Sequence, residues 1–480
     1  MRITNKTLSN NFLADMQRNL TNLSNIQQQV SSTKNFSKPS DDPINVERAM
    51  QLQSSVNYTT QYGSNIKTAN TWMETTDTTL GQIGTVLSNI RNNLEQAGGV
   101  YTQDEKDKIN DAASQEVDQL ATLFNTNFEG EYIFGGTAGL SKPITTTTDP
   151  NTKIVTLQYA DKDGNIVHDL PDVVSSGFDK SNWEGKNITF NVAGKDYTVT
   201  LKTSYSGIDD VISDLNNKIQ SNNVTPTPAN PATSTDPGVR DKINVVKTND
   251  GNIKFIAVNS SDNITMTASD ISDLSSVIGK QLSNMTMENI GADKNIEISQ
   301  GVVLSYNATA SDIMQYGSNY NTTSGDSINA LMDRIQHHLA GQVLSDKRSD
   351  GTTAVASTDS DAVNIPDSNG TAHYYAWIKD ANSEDEAKKQ LMGQDLTDID
   401  AASKKVLQVR SKIGAKEKRM SDLSTQNKSS ITDLKEVLSK TEDIDITQKT
   451  IEYYTSITVY QACLQTGGKI MQPTLLDYVK

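Results

Sequence analysis

"YGSNIKTANTWMETTDTTLGQIGTVLSNIRNNL", Tyr62–Leu94, is the longest periodic stretch in this chain of 480 residues. Tyr62, Ile66, Ala69, Met73, Thr76, Leu80, Ile83, Leu87, Ile90 and Leu94 recur at alternating steps of four and three. That alternation keeps one stripe of an α-helix apolar. The stripe predicts a long helix with a core inside its own chain. Gly98-Gly99 ends the pattern, because glycine suits the left-handed cap of a helix. A further helix restarts at Gln103-Asp104-Glu105, whose carboxylates favour a helix N-terminus, and carries Ile109, Ala113, Val117, Leu120 and Phe124. The two read as an α-helical hairpin.

Upstream, "SKPSDDP" at 37–43 punctuates the chain. Asp42 suits the N-cap of the long helix and Pro43 its first position, where a missing N–H costs nothing. Pro39 keeps Lys38 out of helical geometry. Before this break, Leu13, Met16, Leu20, Leu23, Gln27 and Val30 form a second stripe over residues 8–30. The other faces of that helix are Asn, Gln, Ser and Thr. Burying one Leu contributes roughly 1.5–3 kcal/mol, but only against a partner, and one short helix is marginal in water.

The C-terminal end mirrors this order. Ile399, Ala402, Val406, Val409, Ile413, Met420 and Leu423 give a long seam, interrupted by Lys416 and extended by Leu434 and Leu438. "KTEDID" at 440–445 breaks it. A last helix is expected from about Ile446 to Leu476, with Ile457, Tyr460, Leu464, Gly467 and Met471 on one face. Between the helical ends the character changes at "NTNFEGEYIFGGT", 125–137, where Tyr132, Ile133 and Phe134 favour a strand and Gly135-Gly136 a turn. Short β-like runs follow at 188–194, 197–203, 243–248, 253–259 and 264–269, with a helix-like run at 208–219 and a Pro-rich loop at 225–238. The expected fold is mainly α with an inserted α+β domain: a long antiparallel helical bundle made by both chain ends, and a β-rich centre projecting outward. The expected divisions are 1–40 paired with 441–480, a helical hairpin over 41–137, the β-rich domain over 138–315, a returning helix over 316–345, a polar surface insertion over 346–393, and a long helix over 394–440.

A formal net charge of −16 disfavours nucleic acid and anionic membrane as partners. No stretch approaches the ~20 apolar residues of a membrane span. The N-terminus has neither the apolar core nor the small-residue site of a cleavable signal. One cysteine, Cys463, permits no internal disulfide and no thiolate zinc site, and reads as a small buried hydrophobe. His337 and His338 are adjacent and so point about 100° apart on a helix, unlike a metal pair at i,i+4. "DKDGN" at 161–165 lacks the remaining ligands of a calcium loop and reads as a hairpin turn at Gly164. There is no phosphate loop, nucleophile elbow or Cys/His pair. We expect no catalytic residue, no metal and no cofactor.

Several motifs resemble the flagellin superfamily, and within it the hook–filament junction proteins. "MRITNKTLSNNFLADMQRNLTNLSNIQQQVSSTKNFSKPSDDP" is similar to the N-terminal region of that group, where a basic segment leads into Pro-Ser-Asp-Asp-Pro. "NTNFEGEYIFGG", "VRSKIGAKEKRM" and the ending "KIMQPTLLDYVK" resemble further stretches of it. The resemblance implies a structural, non-enzymatic subunit, exported without a cleavable signal and placed outside the cell. It implies a ring of identical copies between the first hook-associated protein and flagellin, and an export chaperone before secretion. On this reading the terminal helices order on assembly, with contacts carried by Leu13, Met16, Leu20, Leu23, Tyr460, Leu464, Met471, Leu475 and Leu476. A flagellin filament subunit is the alternative; a surface adhesin acting through the central domain is an alternative of another class.

Overall fold

The computed structural model describes residues 5–99, 102–150, 152–170, 172–221, 225–227, 238–248, 250–259, 262–268, 270–277, 280–318, 325–349, 353–359, 361–365, 373–380 and 382–470. Its helices, in chain order, are α1 (Asn5–Ser32), α2 (Pro43–Ala97), α3 (Gln103–Phe124), α4 (Lys180–Trp183), α5 (Ile208–Gln220), α6 (Met285–Ile290), α7 (Ala310–Met314), α8 (Ile328–Leu339), α9 (Ser383–Gln390), α10 (Leu396–Glu442) and α11 (Ile446–Ile470). The fold is mainly α, with an α+β insertion between its long helices. The chain divides into two compact units: Met1–Lys67 with Glu297–Val302 and Ser421–Lys480, and Thr68–Ile296 with Val303–Met420.

In the larger unit the α2 stripe is core. Ala69, Met73, Thr76, Leu80, Ile83, Leu87, Ile90 and Leu94 are all buried. α10 runs antiparallel to it: Arg410 Nε donates to Asp77 at 2.8 Å and Arg91 Nε to Asp400 at 2.8 Å. Ile399, Ala402, Val406, Val409, Ile413 and Met420 face inward. Lys416, which interrupts that stripe, sends its ammonium to Ser305 Oγ at 3.1 Å. α2 ends at Ala97 and the Gly98 N–H still bonds to the Leu94 carbonyl, but Gly98 does not take the left-handed conformation expected of it; its missing Cβ instead leaves room for the Met392 side chain. α3 begins with the Glu105 carboxylate accepting from the Thr102 N–H at 2.8 Å and its hydroxyl at 3.0 Å.

The β-rich body is built from short antiparallel pairs. Ile144–Thr148, Val155–Ala160 and Ile166–Val167 form a meander. The Asn187–Val192 and Lys195–Thr200 hairpin turns through Ala193 (φ 51°) and Gly194 (φ 79°), the left-handed pair a two-residue hairpin requires. Ile264–Thr267 pairs along one side of it. A second hairpin joins Ile243–Lys247 to Ile253–Ala257. α5 lays Val211, Leu215 and Ile219 into a common core with Trp183, Phe190 and Phe255. The expected loop at 225–238 differs at its start: Thr225–Thr227 pairs with Asp196–Thr198 as an edge strand, where Pro226 forfeits no inner ladder bond. Residues 228–237 lie outside the described residues.

Residues 346–393, expected as a polar insertion, are tied into the body. Tyr374–Ile378 pairs with both Val343–Ser345 and Val363–Asn364, and Trp377 stacks on His337 with centroids 4.1 Å apart. α9 buries Ala387 and continues through a π-turn at Leu391–Asp395 into α10. The polar composition concealed one aromatic strand, whose partners are distant in sequence.

Candidate assembly surface

The smaller unit is built around two breaks facing each other. α1 stops where Thr33 adopts φ 61°. Beyond it, the Asn35 N–H donates to the Glu442 carbonyl at 2.7 Å and the Ile444 N–H to the Thr33 carbonyl at 3.1 Å. Lys34 Nζ lies 2.8 Å from Asp443 and 3.2 Å from Glu442. The Asp443 bond raises the Lys34 pKa, and Lys34 in turn holds the Asp443 carboxyl below the usual carboxylate range. "SKPSDDP" and "KTEDID" therefore belong to adjoining connections. In the first, Asp41 accepts from the Ser37 and Lys38 N–H groups, and Asp42 accepts from the Asn45 N–H at 3.1 Å. Both carboxyls are lowered, chiefly by these backbone bonds. The N-cap role of Asp42, with Pro43 as the first residue of α2, is the observed geometry.

From the breaks, α1 and α11 run antiparallel. Asn19 Nδ2 approaches Cys463 Sγ at 3.9 Å, and a Cβ on Gly467 would come within 2.5 Å of the Phe12 ring. Phe12, Met16, Asn19, Leu23, Ile26 and Val30 are half-buried on the α1 face of this seam. Tyr453, Ile457, Tyr460 and Cys463 are half-buried, and Gly467 buried, on α11. Glycine allows the close approach there.

The seam uses only part of the apolar surface. Leu13 is 40 % exposed and Leu20 49 %, one flank away from Met16 and Leu23. On α11, Ile451 (62 %), Tyr454 (65 %), Val459 (47 %) and Leu464 (45 %) stand in solvent. Ile44, Met50 and Tyr58 on the first half of α2 do the same. Of the residues singled out by sequence, Met16, Leu23 and Tyr460 lie in the seam, while Leu13, Leu20 and Leu464 are outside it. Met471, Leu475 and Leu476 lie outside the described residues. Phe12, Asn19 and Ile26 were missed because a polar Asn interrupts their stripe. It is nonetheless readable as steps of four and three from residue 12. Ile451 and Tyr454 were missed because apolar residues occupy α11 on every side, so no single stripe stands out.

Elsewhere the polar clusters are internally paired. His338 Nδ1 lies 2.5 Å from Asp395 and Arg334 Nη2 2.5 Å from Asp398. Burial lowers the pKa of His337. "DKDGN" is a turn in which Asp161 Oδ1 accepts from the Asp163 and Asn165 N–H groups, with Gly164 at φ 82°. Among the described residues, no group of three His, Cys, Asp or Glu is placed to hold a metal ion. Among them, too, no helix is long and apolar enough to cross a membrane.

Residues 3–138 match the family of the bacterial flagellin N-terminal helical region. No curated protein matches the chain closely enough to count as a relative. Solved structures with partial likeness include a Vibrio parahaemolyticus protein described as flagellar hook-associated (11 % identity, covering 84 % of this chain and 100 % of that one, TM-score 0.41). Others are hook-associated protein 3 of Legionella pneumophila (14 %, 82 % and 98 %, TM-score 0.34) and FlgL of Xanthomonas campestris (12 %, 81 % and 99 %, TM-score 0.33). At such identities and scores these likenesses carry no argument. The family match does, for the segment it covers: residues 3–138 carry a bacterial flagellin N-terminal helical region.

Proposed function

We propose that the chain is the adaptor between hook and filament, a ring-forming subunit that polymerises through its terminal helices. The observation that carries the reading is the surplus of exposed apolar side chains on α1, α11 and the start of α2. An apolar side chain left in water gains nothing until a neighbouring copy covers it. Leu13 and Leu20 would meet the next subunit on one flank, and Ile451 and Tyr454 on another. Two different patches make a head-to-tail contact, which closes into a ring or continues as a helix. The motifs around Pro39-Ser40-Asp41-Asp42-Pro43 favour the junction over the filament. On this reading the neighbours are the first hook-associated protein and flagellin, an export chaperone holds the chain before secretion, and the assembled protein is extracellular and without catalytic activity.

Immunogold labelling of flagella tests it: a band at the filament base is expected. Label along the whole filament would instead establish a flagellin, the second reading, which the family match equally favours. Leu464→Asp should abolish incorporation while leaving the β-rich body folded. Normal filament growth from that variant would sink the proposal. The terminal helices should also gain order on assembly, so brief proteolysis of the free chain should trim both ends first.

A further inference from the structure

The β-rich core from Val173 to Leu282 is joined to the helical frame by two crossings. On the inbound one, Val173–Val174 pairs antiparallel with Lys254–Phe255. On the outbound one, Ser283–Asn284 pairs parallel with Ile256–Ala257 and leads into α6. Ile243–Lys247 takes one edge of the strand Ile253–Ala257, so both crossings meet end to end along its other edge. Lys254, at its start, is only 12 % exposed at the side chain, and its ammonium is 2.7 Å from Asp172 and 2.6 Å from Glu288. Asp172 belongs to the inbound crossing and Glu288 to α6. α6 in turn is seated on the frame, where the Thr137 hydroxyl donates to the Asn289 carbonyl and Gly136 leaves no room for a Cβ against that same oxygen. One cation thus takes a carboxylate from each crossing.

A cleft of about 630 Å³ opens beside this pair. The charged or titratable groups facing it are Asp169 and Asp172 from the inbound segment, Lys254 from the strand, Glu288 from α6, Asp312 from α7, Tyr316, and Lys405 from α10. His168 lies next to Asp169 and is lowered by burial. Burial, reinforced by the charge of Asp172, pushes the Asp169 carboxyl up to about 6.

We propose that Lys254 is the pin holding the β-rich body in one orientation on its frame, and that Asp169 sets the pH at which the pin slackens. Between its two carboxylates the ammonium ties together two crossings that the backbone joins to the strand over only a short run, Val173–Ser175 on one side and Ser283–Asn284 on the other. Removing it leaves both crossings free to bend. A carboxyl raised on folding stabilises the folded arrangement below its unfolded pKa, and the contribution is lost as pH rises through its folded value. Ionised Asp169 then repels Asp172, so the neck is tighter at pH 5 than at pH 7.5.

The test uses the full chain with Cys463→Ser, spin labels on cysteines replacing Asp104 and Asp250, and the interlabel distance distribution. The parent should give one narrow distribution at pH 5. Lys254→Met and Glu288→Gln should each broaden it at least twofold, and Lys254→Arg should restore it. Amide protection at Phe190 and Val199 should stay at parental level in every variant. Raising pH to 7.5 should broaden the parent but not Asp169→Asn. A parental width in Lys254→Met overturns the pin. So does collapse of the Phe190 and Val199 protection, which would make the lysine a folding residue. A parental width independent of pH overturns the role of Asp169.

Discussion

Two regions of one chain use the same heptad grammar to opposite ends. In the larger unit, the α2 and α10 stripes vanish into a core, and Ile83 and Leu87 are fully buried. Among the described residues of the terminal unit, the buried apolar side chains are Ala49, Val56, Ile66, Ile298 and Ile444. Against these few stand Leu13, Leu20, Met50, Tyr58, Ile451, Tyr454 and others in water. Marginal stability is a small difference between large terms, so a region with so little burial sits at the low end of local stability. The lesson is that periodicity announces a buried face without saying which molecule buries it.

The comparison breaks most readily at the core. Ile83→Ala should destabilise the larger unit by about 2–5 kcal/mol in denaturant unfolding. Leu20→Ala should change the free chain by no more than about 0.5 kcal/mol while impairing assembly. Equal losses would erase the contrast. Next in size, Gly136→Ala places a side chain at φ 55° with a Cβ 2.2 Å from the Asn289 carbonyl oxygen, and strain of about 1–3 kcal/mol should lower the melting temperature. An unchanged melt would mean that the turn relaxes.

Smaller effects sharpen the terminal unit. Lys34→Met removes a pair whose partners are 38 % and 41 % exposed, so after solvent screening about 0.2–1 kcal/mol is expected. The readout is amide protection at Asn35, which donates across the break. The same protection should depend on pH. Asp443 is lowered on folding, so its contribution is present above its unfolded pKa and lost as pH falls through the folded value. Lys34 is raised, so its share is lost only as pH rises through a value above the usual lysine range. Flat protection between neutral and strongly acid pH would show that the backbone bonds alone hold the breaks. Smallest of all, Asp42→Ala should fray the first turn of α2, seen as faster exchange at Asn45, with no change in the core.

Much of this was legible in advance. The α2 stripe, the acidic start of α3, the cap at Asp42 and the β-runs at 188–194 and 253–259 all follow from local chemistry. The registers of α1 and α11 were less so. Leu13 and Leu20 look equivalent to Met16 and Leu23 on a helical wheel, yet α11 covers only the second pair's flank. Lys34 and Asp443 carry no local mark of their pairing, because 409 positions separate them.

Helix, strand and cap are decisions of neighbouring residues, taken within a few positions by periodicity, glycine and side-chain oxygens, and the sequence alone determined them here. Which stripe becomes core and which two breaks lock together depend on residues hundreds of positions apart, and the carboxylates that meet Lys254 lie dozens of positions from it. Only tertiary structure decides those, because burial and ion pairing act through space.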